Sequence, residues 1–351
     1  MALCNPPIKE RPEILADWVE LRILADSRGE FRLGRLSRYW DTLRADEDSD
    51  SEGKQAEEVN TDDDGVNGGD ADKFLSAVTD ELGERSVILG ESYPFTFSAD
   101  GNKIQLKEVL TAGALTYVFC LLLQYNRKGE ILNGDWLPKV DNSTRDLFQA
   151  CSTLAAAGHV GGCSISFGWP RPDGNPAFLI KLKDVYARFG EGVPVDAVKP
   201  GASPAVKDEG VDIIAWKPRH DKTAGTIYLL GQVATGGNWE GKSITEDIQF
   251  FHRAWFVTPP PSIPSPAMFI PHSVPPAGEG TRKDRIDLIT AKFGTIFDRM
   301  YMPVMTEVGL NLALEKKPGI YIERADDLAK ISAWVDAQLA DLRKTGGIPL
   351  Q

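Results

Sequence analysis

The chain has 351 residues, of which 42% are apolar and 26% charged; this is the composition of a globular protein with one large or two ordinary domains, not of a fibrous chain. The net charge of −12 argues against a uniformly basic nucleic-acid binder. However, twelve acids against the single base Lys54 lie between Asp46 and Asp72, so the rest is near neutral and can carry a local basic groove.

Residues 10–25 read as an amphipathic helix, with Pro12 in its first turn and Ile14, Leu15, Trp18, Leu21 and Leu24 on one face. The acidic stretch 45–72 lacks aromatic residues and reads as a disordered insertion, either solvated or acting as a DNA mimic that masks a basic groove. Residues 73–84 read as helix. Phe95 and Phe97, then Ile104 and Leu106, alternate on either side of Ala99-Asp100-Gly101-Asn102 and read as a hairpin. The apolar run 108–124 is shorter than the ~20 residues of a spanning helix and reads as a buried core helix, so no membrane partner is expected.

Residues 143–157 read as a helix capped by Asn142 or Ser143, and Cys163 to Arg171 as a strand and turn. Residues 176–190 show a mixed pattern, and Ala254 to Val257 reads as a short strand. Thr258 to Gly280 holds eight of the 23 prolines and reads as an extended connector, or a proline-motif docking site. Residues 281–315 and 325–344 read as helices. Leu328, Ile331, Trp334, Val335 and Leu339 form an apolar face suited to capping the core, or to meeting a protein partner or a second copy of the chain.

Cys4, Cys120, Cys151 and Cys163 show no zinc or Cys-x-x-Cys spacing, and the start has no basic-then-apolar leader; reduced thiols and a cytoplasmic location are expected. His159, His220, His252 and His272 are scattered, with His252 read as a packed or surface residue. Neither a serine-hydrolase elbow nor a P-loop is expected to apply.

The segment richest in chemistry is Lys207 to Ala234. Asp212 follows a glycine turn and enters the apolar strand Ile213-Ile214-Ala215-Trp216; Gln232 ends the next apolar strand, in the run Gly225 to Ala234. The two polar side chains fall on one lip of a sheet, close enough to share a divalent cation. Asp208 and Glu209 are further acids, but they precede Gly210.

This layout, an acid, a hairpin and then Gln-x-Ala, resembles the PD-(D/E)XK nucleases, the restriction-endonuclease-like superfamily, over roughly residues 140–275. The resemblance implies an α/β (α+β) fold: a mainly helical N-terminal region 1–130, a nuclease core 131–275 and a helical C-terminal region 276–351. It implies Mg²⁺ or Mn²⁺ held by Asp212, Gln232 and the Val233 carbonyl, with Asp146 and Gln149 contributing from the preceding helix. It also implies phosphodiester hydrolysis of DNA, as in restriction or anti-phage defence, or a catalytically inactive nuclease fold that binds nucleic acid or acts as a scaffold.

The family's water-orienting lysine corresponds to Ala234. Three explanations stand open: Lys242 supplies the ammonium from the following helix; Ala234 is a deliberate replacement of a lysine; or the domain only binds. Asn238, Trp239 and Lys242 are candidate nucleic-acid contacts, set against a turn with a buried tryptophan and a solvated lysine.

Overall fold

The computed structural model describes residues 3–7, 10–40, 67–129, 131–169, 171, 177–198, 209–242 and 244–346. Most of the acidic stretch lies outside these. Its last residues do not fit the disordered expectation, because a helix begins at Asn67. Contact density divides the chain into two compact units: residues 1–109, 125–138 and 336–351 in one, and 110–124 and 139–335 in the other. This division replaces the three consecutive parts expected from sequence. The apolar helix at 112–124 joins the larger unit, and so does most of the C-terminal region.

The smaller unit holds α1 (Pro12–Ala25), β1 (Glu30–Arg32), α2 (Asn67–Leu89), β2 (Phe95–Phe97) and β3 (Lys103–Leu106). The hairpin forms as expected, with Phe95 opposite Leu106 and Phe97 opposite Ile104, and β1 completes an antiparallel sheet of order β1-β3-β2. The N-terminal region is therefore less purely helical than expected. α1 is buried all round from Leu15 to Leu21, where one apolar face was expected. Its Asp17 and Glu20 are charged, and both are paired with the buried Arg85 at 2.6 and 3.1 Å. Such pairing is what makes buried carboxylates tolerable.

The larger unit begins with α3 (Ala112–Gln124) and α4 (Asn142–Val160), followed by β4 (Cys163–Ser166), α5 (Phe178–Phe189) and β5 (Val193–Pro194). Then come β6 (Ile213–Trp216), β7 (Tyr228–Val233), α6 (Ile244–Trp255), β8 (Phe256–Thr258) and β9 (Pro264–Phe269). It continues through α7 (Arg282–Phe293), β10 (Thr295–Phe297) and α8 (Met302–Leu314) to the start of α9 (Leu328–Gly346), whose residues from Asp336 on belong to the smaller unit. Its main sheet has the order β10-β9-β7-β6-β4. β4, β6 and β7 are antiparallel neighbours, whereas β9 runs parallel to β7 and β10 parallel to β9. The class is thus mixed α/β. α3 is buried from Ala112 to Leu123, as its composition predicts, and among the described residues no helix is long and apolar enough to cross a membrane.

Helix α4 is capped by Asp141, one residue before the expected caps: its Oδ1 accepts the Thr144 N–H at 2.9 Å, and the Thr144 hydroxyl returns a bond to the cap. α4 packs closely on α8. A Cβ on Gly158 would lie 2.1 Å from the Met305 carbonyl oxygen, and one on Gly309 1.9 Å from that of Leu154. Only glycine permits this approach of two backbones.

The proline-rich connector proves to contain an interior strand, β9. The hydrogen bonds explain how. Ala234 N–H donates to Phe269 O on the β7 side, and Ile270 N–H donates to Phe297 O on the β10 side. By alternation, Pro264 and Pro266 turn their missing N–H toward β10, which pairs only from Ala267 onward. Residues 281–315 likewise split into α7, β10 and α8, broken at Gly294, where φ is 71° and a Cβ would meet the Pro266 carbonyl oxygen at 2.0 Å. Ala254 and Trp255 close α6, so the strand there begins only at Phe256.

Candidate functional site

β6 and β7 pair with Ile213 opposite Gly231 and Ile214 opposite Leu230, and Asp212 and Gln232 each lie one residue beyond this end of the ladder. The Asp212 backbone N–H donates to Gly231 O at 2.8 Å, and its side-chain Oδ2 accepts the Val233 N–H at 2.8 Å. The acid is thereby fixed against the strand that carries its expected co-ligand. Gln232 Oε1 is buried and has no hydrogen-bond partner among the described residues. Leaving such an oxygen unsatisfied costs about 1–3 kcal/mol. A hard cation is an occupant that would satisfy it.

The far wall comes from α4 and the end of β4. Gln149, buried, donates from Nε2 to the Ser166 hydroxyl at 2.7 Å. Ser166 N–H donates to Glu323 Oε2 at 3.0 Å, and Glu323 also takes the buried Lys181 ammonium. Gly168 closes the group: a Cβ there would lie 2.3 Å from Asp212 Oδ1 and 2.8 Å from Gln149 Oε1. Gly168→Ala should therefore push Asp212 and Gln149 off their positions. The expected result is a destabilisation of about 1–3 kcal/mol, read from denaturant unfolding. A wild-type unfolding midpoint would show that these side chains yield freely.

Of the two helix residues expected to contribute, Gln149 reaches the group and Asp146 is taken by Arg324, which grips both its carboxylate oxygens at 2.9 and 2.6 Å. Asp208 lies outside the described residues. Glu209 sits in a turn with φ of 53°, just ahead of Gly210, whose added Cβ would press on Asp247 Oδ2 of α6 at 2.6 Å. Sequence reasoning passed over Ser166 and Gly168. The available signal was a glycine two residues past a buried strand, where close approach is the usual reason for one.

Beyond β7 the expectations need more correction. Ala234 is only 2% exposed and packs in an apolar cluster with Trp239, Met268, Ile270, Val274, Ile289, Phe293 and Ile296. Trp239 lies against the Phe293 ring with centroids 5.1 Å apart, so it is a core residue and not a base contact. Asn238 is exposed. Lys242 is exposed and lies before α6, not on it; among the described residues no hydrogen bond or ion pair joins it to Asp212 or Gln232. His252 is packed against Tyr228 and Phe256, as expected.

Gly236 to Ser243 does spell Gly-x-x-x-x-Gly-Lys-Ser between a strand and a helix, a pattern the sequence reading set aside. The backbone departs from a phosphate cradle: Trp239–Gly241 forms a 3₁₀ turn, Trp239 is buried, and Lys242 is extended at φ −117° and ψ 133°, outside the helix.

His272 borders this loop. Burial first, then the nearby Arg299 guanidinium, lower its pKa from 6.5 to about 4, against hydrogen bonding to the Thr235 and Gly236 backbone. The imidazole is thus neutral when folded, while the unfolded chain takes up a proton below about 6.5. Stability tied to His272 is complete above that pH and is lost as pH falls toward 4. We expect wild-type unfolding free energy to fall by roughly 3 kcal/mol more than that of His272→Asn between pH 7 and 4. Parallel pH profiles for the two proteins would remove the assignment.

Among the described residues no three His, Cys, Asp or Glu side chains form a metal-binding group. A cation here would rest on one carboxylate, Asp212, with the neutral oxygens of Gln232 and Val233. The orphaned Gln232 Oε1 fits that donor set. No family model matches the chain, and searches of curated proteins and of solved structures return no match.

Proposed function

We propose that the larger unit is a PD-(D/E)XK-like, divalent-metal-dependent nuclease acting on DNA. The observation that carries the proposal is the bond from the Val233 N–H to Asp212 Oδ2, which fixes the acid against the strand of Gln232, whose buried Oε1 lacks a hydrogen-bond partner among the described residues. The order of elements supports it: helix α4, strand β4, the Asp212 strand β6, the Gln232 strand β7, then helix α6 and a further strand follow the succession that the resemblance implies. Mg²⁺ or Mn²⁺, when bound, lowers the pKa of a water and offsets charge on the phosphorane-like transition state. Asp212, aligned by the Val233 N–H, supplies the negative charge of the site, Gln232 and the Val233 carbonyl supply neutral oxygens, and Gln149 lines the opposite wall.

The test is cleavage of duplex and single-stranded DNA by the full chain with Mg²⁺ or Mn²⁺. Asp212→Ala should abolish cleavage and leave the protein folded, with a melting temperature lowered by no more than about 10 °C, because Asp212 lies at a strand mouth and the loss of its charge-assisted bond to the Val233 N–H costs about 1.5–3 kcal/mol. Cleavage that survives this substitution in the purified protein removes the proposal.

The burial of Ala234 in an apolar cluster favours a second reading, a nuclease fold that binds nucleic acid without cutting it. DNA binding by the wild-type chain, with no cleavage under either cation, would establish that reading instead.

A further inference from the structure

Resting on the reading of the chain as a nucleic-acid protein, we propose that the turn joining β6 to β7 grips the phosphate backbone through Lys217, Arg219, His220 and Lys222. Residues 213–227 hold three bases, Lys217, Arg219 and Lys222, against Asp221 alone. Outside its acidic stretch the chain is near neutral, so this is a local excess of positive charge. Lys217, His220 and Lys222 are exposed, and among the described residues no hydrogen bond or ion pair engages their side chains. Lys217 and His220 line, with Pro218, Arg219 and Ile227, a groove of about 470 Å³.

The turn has a fixed shape. Lys222 and Gly225 take φ of 56° and 88°, and the Lys222 N–H closes on Arg219 O at 3.2 Å. Asp221 accepts Arg219 Nε and Nη2 at 3.0 and 2.8 Å and the Thr223 N–H at 3.1 Å. The one acid of the turn is thus spent inside it, and Arg219 Nη1 stays outside the pair. The Gly225 and Thr226 N–H groups donate to the buried Ser262 hydroxyl at 2.9 and 3.0 Å, which itself donates to Glu191 at 2.8 Å. None of these bonds uses an ammonium group, so the lysines stand on a backbone whose ordering is already complete.

A phosphate backbone asks for cations and N–H donors without regard to base, which is what this turn offers. An anionic membrane would call for aromatic or leucine side chains to enter its interface. Residues 217–227 contain neither. Lys217 is five residues along the strand from Asp212, roughly 16 Å at the rise of a β-strand. The turn therefore acts on affinity, away from the site proposed for the chemistry.

The experiment uses the full chain with EDTA, so that binding is read without cleavage. A fluorescent duplex DNA is titrated at several salt concentrations against wild type and Lys217→Gln/Lys222→Gln. Affinity at low salt should fall about tenfold or more, and the slope of log K against log salt should become shallower by about 2. Lys217→Arg/Lys222→Arg should keep both quantities. Lys316→Gln/Lys317→Gln, which removes the same charge from exposed positions beyond α8, should change either one much less. Thermal melts of all variants should match wild type.

Wild-type affinity and slope in Lys217→Gln/Lys222→Gln overturn the grip while DNA binding itself stands. An equal loss in Lys316→Gln/Lys317→Gln overturns it too, since the effect would then belong to net charge. Capture by phosphatidylserine vesicles through the two lysines, with no binding to DNA, overturns both the grip and the nucleic-acid reading. Lysine-dependent DNA binding with no cleavage under Mg²⁺ or Mn²⁺ supports the grip and removes the nuclease.

Discussion

Ala234→Lys should unfold or badly weaken the larger unit and should not create a nuclease. The methyl group at 234 is 2% exposed and meets Trp239, Met268 and Phe293. A lysine there must insert three further methylenes into a filled space, or carry an ammonium through it to reach water. Overpacking alone costs about 1–3 kcal/mol, and burial of an unpaired charge adds to it. We expect a loss of at least about 3 kcal/mol in chemical denaturation. The contrary result, a stable Ala234→Lys protein that cuts DNA where the parent does not, would mean that position 234 belongs to the catalytic strand face and that its alanine replaces a functional lysine. The packing speaks for an alanine native to this position, and so against the second of the three explanations left open by sequence.

Gly309→Ala should be nearly as damaging. Its new Cβ would sit 1.9 Å from the Leu154 carbonyl oxygen, and the matching change at Gly158 would sit 2.1 Å from that of Met305. Neither obstacle is a side chain that can rotate away, so α4 and α8 must separate along their contact. A cost of about 3 kcal/mol corresponds to roughly 10 °C in melting temperature for a unit of this size. Because α4 carries Gln149, the displacement should also reach the group around Asp212. A melting temperature within two degrees of wild type would show that the helices are not held at this distance in solution.

The pair that makes the candidate site was legible because its signals are local. Gly210 before Asp212, two apolar strands and Gln232 at the end of the second are all read along the chain, and the β6–β7 ladder then brings the two strand ends together. The hairpin β2–β3 and helices α3 and α4 were legible for the same reason. What was missed depends on partners distant in sequence. In α5, Phe178, Ile180 and Leu182 alternate as in a strand, yet the buried set is Phe178, Lys181, Leu182, Val185, Tyr186 and Phe189, which has helical spacing. Lys181 obscured that pattern, and its partner Glu323 lies far along the chain. The prolines of β9 looked like a connector because their harmlessness depends on where β10 begins. Trp239 looked like a ligand contact beside its glycines until Phe293 covered it.

Those two prolines bear on how the protein behaves in a crowd. Where Pro264 and Pro266 stand, β9 pairs with no second strand among the described residues, and an unpaired strand flank invites pairing with an extended segment of another molecule. An intruding strand needs N–H donors at alternate residues, and at both of these positions the donor is absent. The opening beside β9 is therefore a poor template for sheet growth. Replacing both prolines would leave the fold's own ladder unbroken and turn this flank into a seed for aggregation.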